Sequence, residues 1–162
     1  MWRLITARLS IKPRVVESLG NINNVRLKIL FDPGATDSFI SPFSLDRCGL
    51  AAYKHDDFKL VEMAFGVKQA VGPSVGECYV DLGVCTIRLK LYATTLGSYD
   101  LIIGMDWLEA HRAFVDCYGK IVLFLDDARR TIQIHGLEKK VSLHFISMMK
   151  VKRSCNKDVI YT

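Results

Sequence analysis

Short runs of β-forming residues, separated by Gly, Asn and Asp, occupy most of this 162-residue chain. The run Val25–Phe31 first alternates between apolar and polar residues and then becomes wholly apolar, as a strand does on entering a core. Turn-forming residues at 20–24 precede it, so residues 15–31 are predicted to form a hairpin. We expect further strands at residues 58–65, 76–82, 85–94, 101–103, 115–117, 120–125 and 130–135, a protruding loop at 66–73, and one clear helix at 105–111. The pattern therefore predicts a mainly β fold with one or two short helices.

Composition favours a single globular domain. Hydrophobic residues make up 50% of the chain and charged residues 24%, whereas a disordered chain has lower hydrophobicity and higher net charge. No apolar run approaches the roughly 20 residues that a membrane span requires, so no membrane association is expected. The five cysteines show no C-x-x-C spacing and the four histidines are scattered, which predicts neither a disulfide framework nor a zinc site. We interpret the cysteines as reduced, mostly buried thiols of a cytoplasmic protein.

The basic residues are concentrated at the two ends of the chain. Residues 1–14 carry four basic residues and no acid, and residues 137–162 carry six basic residues against two acids, whereas acids outnumber bases between them. A folded nucleic-acid-binding module usually carries its basic patch on the fold itself. We therefore expect a basic N-terminal arm at 1–14, one domain at 15–136 and a basic C-terminal connector at 137–162. Nucleic-acid binding by the domain is not expected, and any such binding would be confined to the tails.

One motif carries the residues of a possible chemical site. Asp32 follows the apolar run directly, and Pro33, Gly34 and Ala35 come after it. The strand would hold the carboxylate of Asp32 at the rim of the core. Gly34, which lacks a Cβ atom, would let the backbone turn sharply and approach a ligand, and Ala35 would keep the loop from crowding the site.

Asp32 alone cannot perform proton chemistry of the aspartic type, in which two carboxylates share one proton and act as base and acid toward the same water molecule. The only other D-x-G sequence begins at Asp81, where a hairpin turn is the better interpretation. Asp106 is interpreted as a helix cap and Asp37 as a solvated loop residue. Two copies of the chain would therefore have to contribute one Asp32 each, across a twofold axis. Activity would then be expected to peak in mildly acidic solution.

Two segments of the chain carry a family resemblance. The sequence ILFDPGATDSFIS at residues 29–41 is similar to the active-site loop of retropepsin-like aspartic proteases. Together with YDLIIGMDWLEAHRAFVDC at residues 99–117 and the strand at 120–124, it resembles the protease segment of gypsy-type LTR retrotransposon polyproteins, especially those of plants. The resemblance covers roughly residues 15–135 and implies a retropepsin-like acid protease fold: a closed, barrel-like β monomer with a flap hairpin and one lobe per chain.

The resemblance also implies roles for individual positions. Asp32 matches the catalytic aspartate, and Gly34 and Ala35 match the loop that binds the substrate backbone. Residues 63–76 occupy the place of the flap, and residues 102–104 match a structural segment that threads beneath the catalytic loop. The implied enzyme is a homodimer that needs no metal or cofactor. Residues 145–156 resemble the connector that leads toward reverse transcriptase in such polyproteins.

Pro33 departs from the family pattern, which has Ser or Thr at this position. In the family, that hydroxyl and its backbone amide link the two catalytic loops across the dimer axis, and proline offers neither. A net hydrogen bond contributes about 0.5–1.5 kcal/mol. Symmetry doubles the loss, so the dimer is expected to be weaker by a few kcal/mol, or on the order of 10²-fold in affinity.

The sequence thus predicts a homodimeric aspartic endopeptidase that hydrolyses peptide bonds of a polyprotein by activating water between two Asp32 carboxylates. Two alternatives stay open at this point. One is a catalytically silent domain of the same fold, kept as an assembly module or as a retroelement relic, which Pro33 favours. The other is a nucleic-acid-binding β-barrel that uses the basic tails.

Overall fold

The computed structural model describes residues 15–53, 59–62 and 68–137. The predicted N-terminal arm at 1–14 and the predicted connector beyond residue 137 lie outside the described residues. In chain order the elements are β1 (Val16–Ile22), β2 (Val25–Phe31), β3 (Ser38–Ile40), α1 (Pro42–Arg47), β4 (Lys59–Glu62), β5 (Lys68–Val71), β6 (Ser74–Asp81), β7 (Thr86–Ala93), β8 (Leu101–Ile103), α2 (Met105–Ala110), β9 (Phe114–Asp116), β10 (Ile121–Leu125) and β11 (Thr131–His135).

Six strands close into a barrel in the order β1-β2-β8-β3-β7-β6. The β1–β2 hairpin turns at Asn23 and Asn24, whose φ angles are 48° and 64°, the left-handed conformations that a tight hairpin turn requires. Apolar side chains from all six strands fill the interior; those that are almost fully buried include Leu27, Ile29, Phe31, Ile40, Val80, Leu89, Leu91, Leu101 and Ile103. This confirms the prediction of a mainly β, closed-barrel fold.

Strand β8 lies parallel to β2, with Ile29 opposite Leu101 and Phe31 opposite Ile103. Because the strands are parallel, both end at the same rim of the barrel. Asp32, which follows β2, and Gly104, which follows β8, therefore lie beside each other. Strand β3 returns along the other side of β8, with Phe39 opposite Ile102.

A separate three-stranded sheet, β11-β10-β9, packs on the barrel through α2. Its side chains Val122, Phe124 and Ile134 join the same buried core as Trp107. The sheet is anchored beside the start of β1, since the ammonium group of Lys120 donates to the carbonyl of Val15 at 2.7 Å and the amide of Leu137 donates to the carbonyl of Glu17 at 2.6 Å.

The structure corrects the sequence prediction in two places. Residues 68–71, predicted to lie in a loop, form β5, which pairs with β4 in a two-stranded sheet. Strand β3 and helix α1 were not predicted. The α1 signal was present, because Ser41 accepts a hydrogen bond from the amide of Ser44 and Pro42 occupies the first turn, the usual pairing at a helix start. Within the described ranges, no helix is long and apolar enough to cross a membrane.

Candidate active site

Asp32 lies half-buried at the rim of the barrel, directly after β2. Its amide donates to the carbonyl of Ile103 at 3.0 Å, which continues the pairing of β2 with β8. Its carboxylate accepts the amide of Gly34 on Oδ1 at 2.9 Å. Within the part of the chain that the structure describes, Oδ2 accepts no hydrogen bond. The strand thus fixes the carboxylate while leaving one oxygen available for chemistry.

Space, rather than backbone conformation, is what a larger residue at position 34 would have to overcome. A Cβ atom there would lie 3.1 Å from Oδ1 of Asp32, and the φ angle of Gly34 is not among the positive ones. Pro33 and Gly34 are exposed, so the tip of the loop faces outward. None of the described hydrogen bonds that hold the loop involves Pro33.

The loop after Asp32 is held from below by the start of α2. The amide of Met105 donates to the carbonyl of Ala35 at 2.8 Å, and the amide of Asp106 donates to the carbonyl of Thr36 at 3.0 Å. Gly104 lies against the same loop so closely that a Cβ atom would be 2.8 Å from the carbonyl oxygen of Ala35. We therefore find residues 102–104 beneath the loop, where the family resemblance puts them.

Asp106 does not cap its helix, contrary to the sequence interpretation. The N-cap residue of α2 is Gly104, which makes no side-chain cap hydrogen bond, and Asp106 lies in the first turn. Its Oδ1 instead accepts the hydroxyl of Ser38 at 2.7 Å. A carboxylate in the first turn still benefits from the helix dipole, but its hydrogen-bond partner is Ser38, in the strand that follows the Asp32 loop.

Asp81 lies at the far end of the barrel from Asp32. It pairs with Asn21, whereas Val16, five residues earlier on β1, pairs with Phe31. At ~3.3 Å per residue the two ends of this strand are roughly 16 Å apart. The carboxylate of Asp81 accepts the amide of Gly83 at 2.8 Å, as the hairpin interpretation predicted.

Asp37, interpreted as a solvated loop residue, is half-buried and takes part in the loop. Its Oδ2 accepts the hydroxyl of Thr36 at 3.0 Å. Its carbonyl group also packs against Gly104. The structure therefore gives Asp37 a place in the packing of the loop.

A β-hairpin occupies the region predicted to be the flap. Strands β4 and β5 pair from Lys59–Val71 to Glu62–Lys68, so the hairpin begins before the predicted range of 63–76. Residues 63–67, between the two strands, lie outside the described residues. Ser74–Gly76, at the end of the predicted range, belong to the barrel strand β6.

A small apolar cluster lies beside the Asp32 loop. Phe39 is its buried member, and half-buried side chains pack against it: Ala35, Tyr92, Leu96 and Ile102. The rings of Phe39 and Tyr92 are 6.5 Å apart between centroids. Since these residues follow or flank the loop that carries Asp32, they form an apolar surface next to the candidate site.

A polar cluster lies on the barrel wall near the same rim. Glu17 is 3% exposed, and its Oε1 accepts the hydroxyl of Tyr99 at 2.6 Å. The ammonium group of Lys28 is 3.7 Å from its Oε2. Burial, the hydrogen bond to Glu17 with its charge, and the charge of Asp32 together raise the pKa of Tyr99 to about 12.

Sequence reasoning missed Ser38, Ser44 and Asp100. The two serines are fully buried, and each donates its hydroxyl to an aspartate. The only sequence signal was a serine among apolar residues, at positions whose burial depends on β3 and α1. Among the described residues, no group of three or more His, Cys, Asp or Glu side chains is placed to hold a metal ion.

Comparison with known proteins agrees with this geometry. Residues 2–130 match the family model described as retroviral aspartyl protease. A curated relative, "Protein DDI1 homolog" from Leishmania major, is 31% identical over 96 residues, which are 59% of this chain and 24% of the relative. The match thus spans about a quarter of the length of that relative.

One solved structure shows the same fold, and a second aligns less closely. The retroviral protease-like domain of Ddi1 from Leishmania major aligns with a TM-score of 0.56 and 22% identity, covering 76% of this chain and 93% of that domain. A retropepsin-like aspartic protease from Rickettsia conorii aligns with a TM-score of 0.41 and 21% identity, covering 63% of this chain and 76% of that one. The family match extends over most of the chain and includes the Asp32 loop, the barrel and α2, and the chain therefore belongs to the retroviral aspartyl protease family.

Proposed function

We propose that this chain is an aspartic endopeptidase that acts as a homodimer, with Asp32 of each copy as the catalytic residue. The observation that carries the proposal is the geometry of the Asp32 loop. Its carboxylate is half-buried at the rim of the barrel, its tip is exposed, and its backbone is held by hydrogen bonds from the start of α2. Asp81 lies at the other end of the barrel and Asp106 is engaged by Ser38. Neither of these two carboxylates is therefore available to Asp32, and a twofold axis through the exposed tip would supply the second carboxylate from another copy of the chain.

The reaction follows from two carboxylates that hold one proton and one water molecule. The ionised Asp32 takes a proton from the water, while the protonated Asp32 of the other copy donates its proton to the scissile carbonyl oxygen. The water oxygen bonds to the carbonyl carbon as these protons move, which gives a tetrahedral diol. One Asp32 then protonates the amine nitrogen as the C–N bond breaks, while the other takes a proton from a diol hydroxyl, so that a carboxylic acid and an amine leave and the pair again holds one proton. Neither a covalent intermediate nor a metal enters the proposed steps.

The proposed substrate is an extended peptide with apolar side chains near the cleaved bond. The β4–β5 hairpin and the loop at Gly34 and Ala35 would bind its main chain as an added strand. The apolar cluster around Phe39 and Ile102 would receive its side chains. The two motifs at residues 29–41 and 99–117 support a polyprotein of a gypsy-type retroelement as the source of both enzyme and substrate.

We further propose that residues 15–136 form the functional unit, with basic tails at 1–14 and 137–162. The four described cysteines are free thiols, which supports action in a reducing compartment such as the cytoplasm.

The test is cleavage of a denatured protein substrate by micromolar protein at about pH 4 to 6. Wild type should produce peptides, and Asp32→Asn should produce none, because it cannot supply the ionised base. Asp81→Asn is the matched control, since it makes the same change at the far end of the barrel and should keep activity. Cleavage that persists in Asp32→Asn would refute the aspartic mechanism at this residue.

A catalytically silent assembly module is the second candidate, and Pro33 is the observation that favours it. Pro33→Thr separates the two, because an enzyme limited only by weak dimerisation should gain activity. A folded, dimeric Pro33→Thr protein that cleaves nothing would favour the silent module.

A further inference from the structure

We infer that Ser38 is a positioning residue for the catalytic loop, held in a single hydrogen-bonding orientation by Asp106. The inference rests on the proposed protease function, which it deepens. Ser38 is 0% exposed and lies at the start of β3, just after the loop that begins at Asp32. It contacts no reacting atom, so any effect on the reaction must act through the backbone of this loop.

The segment Gly104–Asp106 lies beneath the loop and forms what we call the clamp. The hydroxyl of Ser38 makes hydrogen bonds to two residues of this clamp. It accepts the amide of Gly104 at 3.0 Å and donates to Oδ1 of Asp106 at 2.7 Å. Both partners belong to the segment Gly104–Asp106, in which the amides of Met105 and Asp106 donate to carbonyl groups of the loop. Ser38 therefore connects the start of β3, the end of β8 and the first turn of α2.

The carboxylate of Asp106 determines how the hydroxyl is oriented. A hydroxyl has one proton, and an ionised carboxylate can only accept. The proton of Ser38 therefore points to Asp106, and its lone pairs remain for the amide of Gly104. Without Asp106 the proton could rotate toward the buried amide of Gly104, which would then lose its acceptor.

The position of Gly104 controls the position of the loop. There is no room between Gly104 and the backbone carbonyl groups of Ala35 and Asp37, and close-packed interiors transmit small shifts. A displacement of Gly104 therefore moves the segment that carries Asp32. Small misplacements of a catalytic group reduce the rate far more than they reduce binding.

The chain contains a matched control in a second buried serine. Ser44 is also 0% exposed, and its hydroxyl donates to Oδ1 of Asp100 at 2.6 Å. Asp100 precedes β8, whereas Gly104 follows it, so this second pair lies at the opposite end of the strand. Ser44→Ala thus makes the same chemical change away from the catalytic loop.

The experiment compares kcat, KM and thermal stability in the full chain. Ser38→Ala should lower kcat by about 10- to 100-fold with KM little changed, and Ser38→Thr, which keeps the hydroxyl, should restore kcat. Ser44→Ala should lower the melting temperature but leave kcat near wild type. Equal kcat in Ser38→Ala and Ser44→Ala would overturn the inference.

Asp106→Ala tests the same orientation without a buried cavity, because Asp106 is exposed. It should lower kcat in the same direction as Ser38→Ala, and Asp106→Asn, which keeps an acceptor oxygen, should be milder. An Asp106→Ala protein with wild-type kcat would refute the role of Asp106 even if Ser38→Ala failed to fold.

Amide hydrogen exchange separates this inference from the proposed function. The amides of Asp32 and Ala35 lie in the loop, and the amide of Met105 donates to it from α2. In Ser38→Ala they should exchange at least about 10-fold faster than in Ser44→Ala, after correction for global stability. If wild type cleaves nothing but this difference appears, the proposed function fails and the loop-positioning role stands. Equal exchange in both variants overturns the positioning role whatever the activity.

Discussion

Gly104→Ala is the most direct test of how the segment Gly104–Asp106 holds the Asp32 loop from below. Gly104 has φ −99° and ψ −170°, an extended conformation that alanine adopts without strain. Any cost of the substitution must therefore come from the space that the new methyl group needs. That space is taken by backbone, since the added Cβ atom would lie 2.7 Å from the carbonyl carbon of Asp37 and 2.8 Å from the carbonyl oxygen of Ala35.

The expected loss of stability combines two terms. Forcing an extra methyl group into a packed interior costs about 1–3 kcal/mol, and more where the backbone must move. Moving the loop also stretches the hydrogen bonds from the amides of Met105 and Asp106 to the loop carbonyl groups, each of which contributes about 0.5–1.5 kcal/mol. The sum is about 2–6 kcal/mol, a large part of the about 5–15 kcal/mol that a typical domain has.

Gly97→Ala is the matched control. Gly97 has φ 54° and nothing within 4 Å of an added Cβ atom, so only the left-handed conformation opposes alanine, at about 1–2 kcal/mol. Urea denaturation should rank Gly104→Ala as the less stable variant, and only Gly104→Ala should lose peptide cleavage. The reasoning would be refuted if Gly104→Ala were as stable as Gly97→Ala and still active.

Three further outcomes are expected. Pro33→Thr restores a hydroxyl and an amide N–H on each copy, so analytical ultracentrifugation should show dimerisation at least about 10-fold tighter; unchanged affinity would mean that residue 33 does not face the partner. Tyr99→Phe removes the donor to Glu17 and should lower the free energy of unfolding by about 1–2 kcal/mol at neutral pH. Because the pKa of Tyr99 is raised from 10.0 to about 12 in the folded protein, the stability due to its proton is complete below about pH 10 and is lost as the pH rises through about 12. The difference from Tyr99→Phe should therefore shrink over that interval, and a constant difference would contradict the assigned cause. Cys117 is exposed, whereas burial raises the pKa of the Cys78 thiol, so peptide mapping should find that iodoacetamide alkylates Cys117 in the native protein and Cys78 only after unfolding.

The sequence predicts an element correctly where neighbouring residues alone determine both its secondary structure and its place in the fold. Asp32 directly follows β2, and the apolar character of that strand is enough to place its carboxylate at the rim of the core. The β1–β2 hairpin needs only its turn residues, and α2 needs only the polar and apolar spacing after Gly104. Each of these features follows from a few neighbouring residues.

The remaining features depend on contacts between distant residues. The residues of β3 are buried on both faces between β7 and β8, so the alternation that identifies a half-buried strand is missing. Residues 68–71 have the composition of a loop and become a strand by pairing with β4. The role of Asp106 depends on Ser38, which lies 68 positions away, and no local pattern reports such a partner.

The clamp also indicates where the substitution at position 33 should have its effect. Within one copy, the loop is held by backbone hydrogen bonds to Ile103, Met105 and Asp106, and the carboxylate of Asp32 is held by the amide of Gly34. None of these contacts needs a hydroxyl group at position 33. The missing hydroxyl and amide N–H at position 33 should therefore weaken the association of two copies and leave the fold of each copy intact. If so, the specific activity should rise with protein concentration up to the dimer dissociation constant, while the free energy of unfolding of Pro33→Thr measured on the monomer stays within about 1 kcal/mol of wild type. If the specific activity did not change with concentration across the monomer–dimer range, the conclusion that position 33 affects dimerisation rather than the fold of one copy would be contradicted.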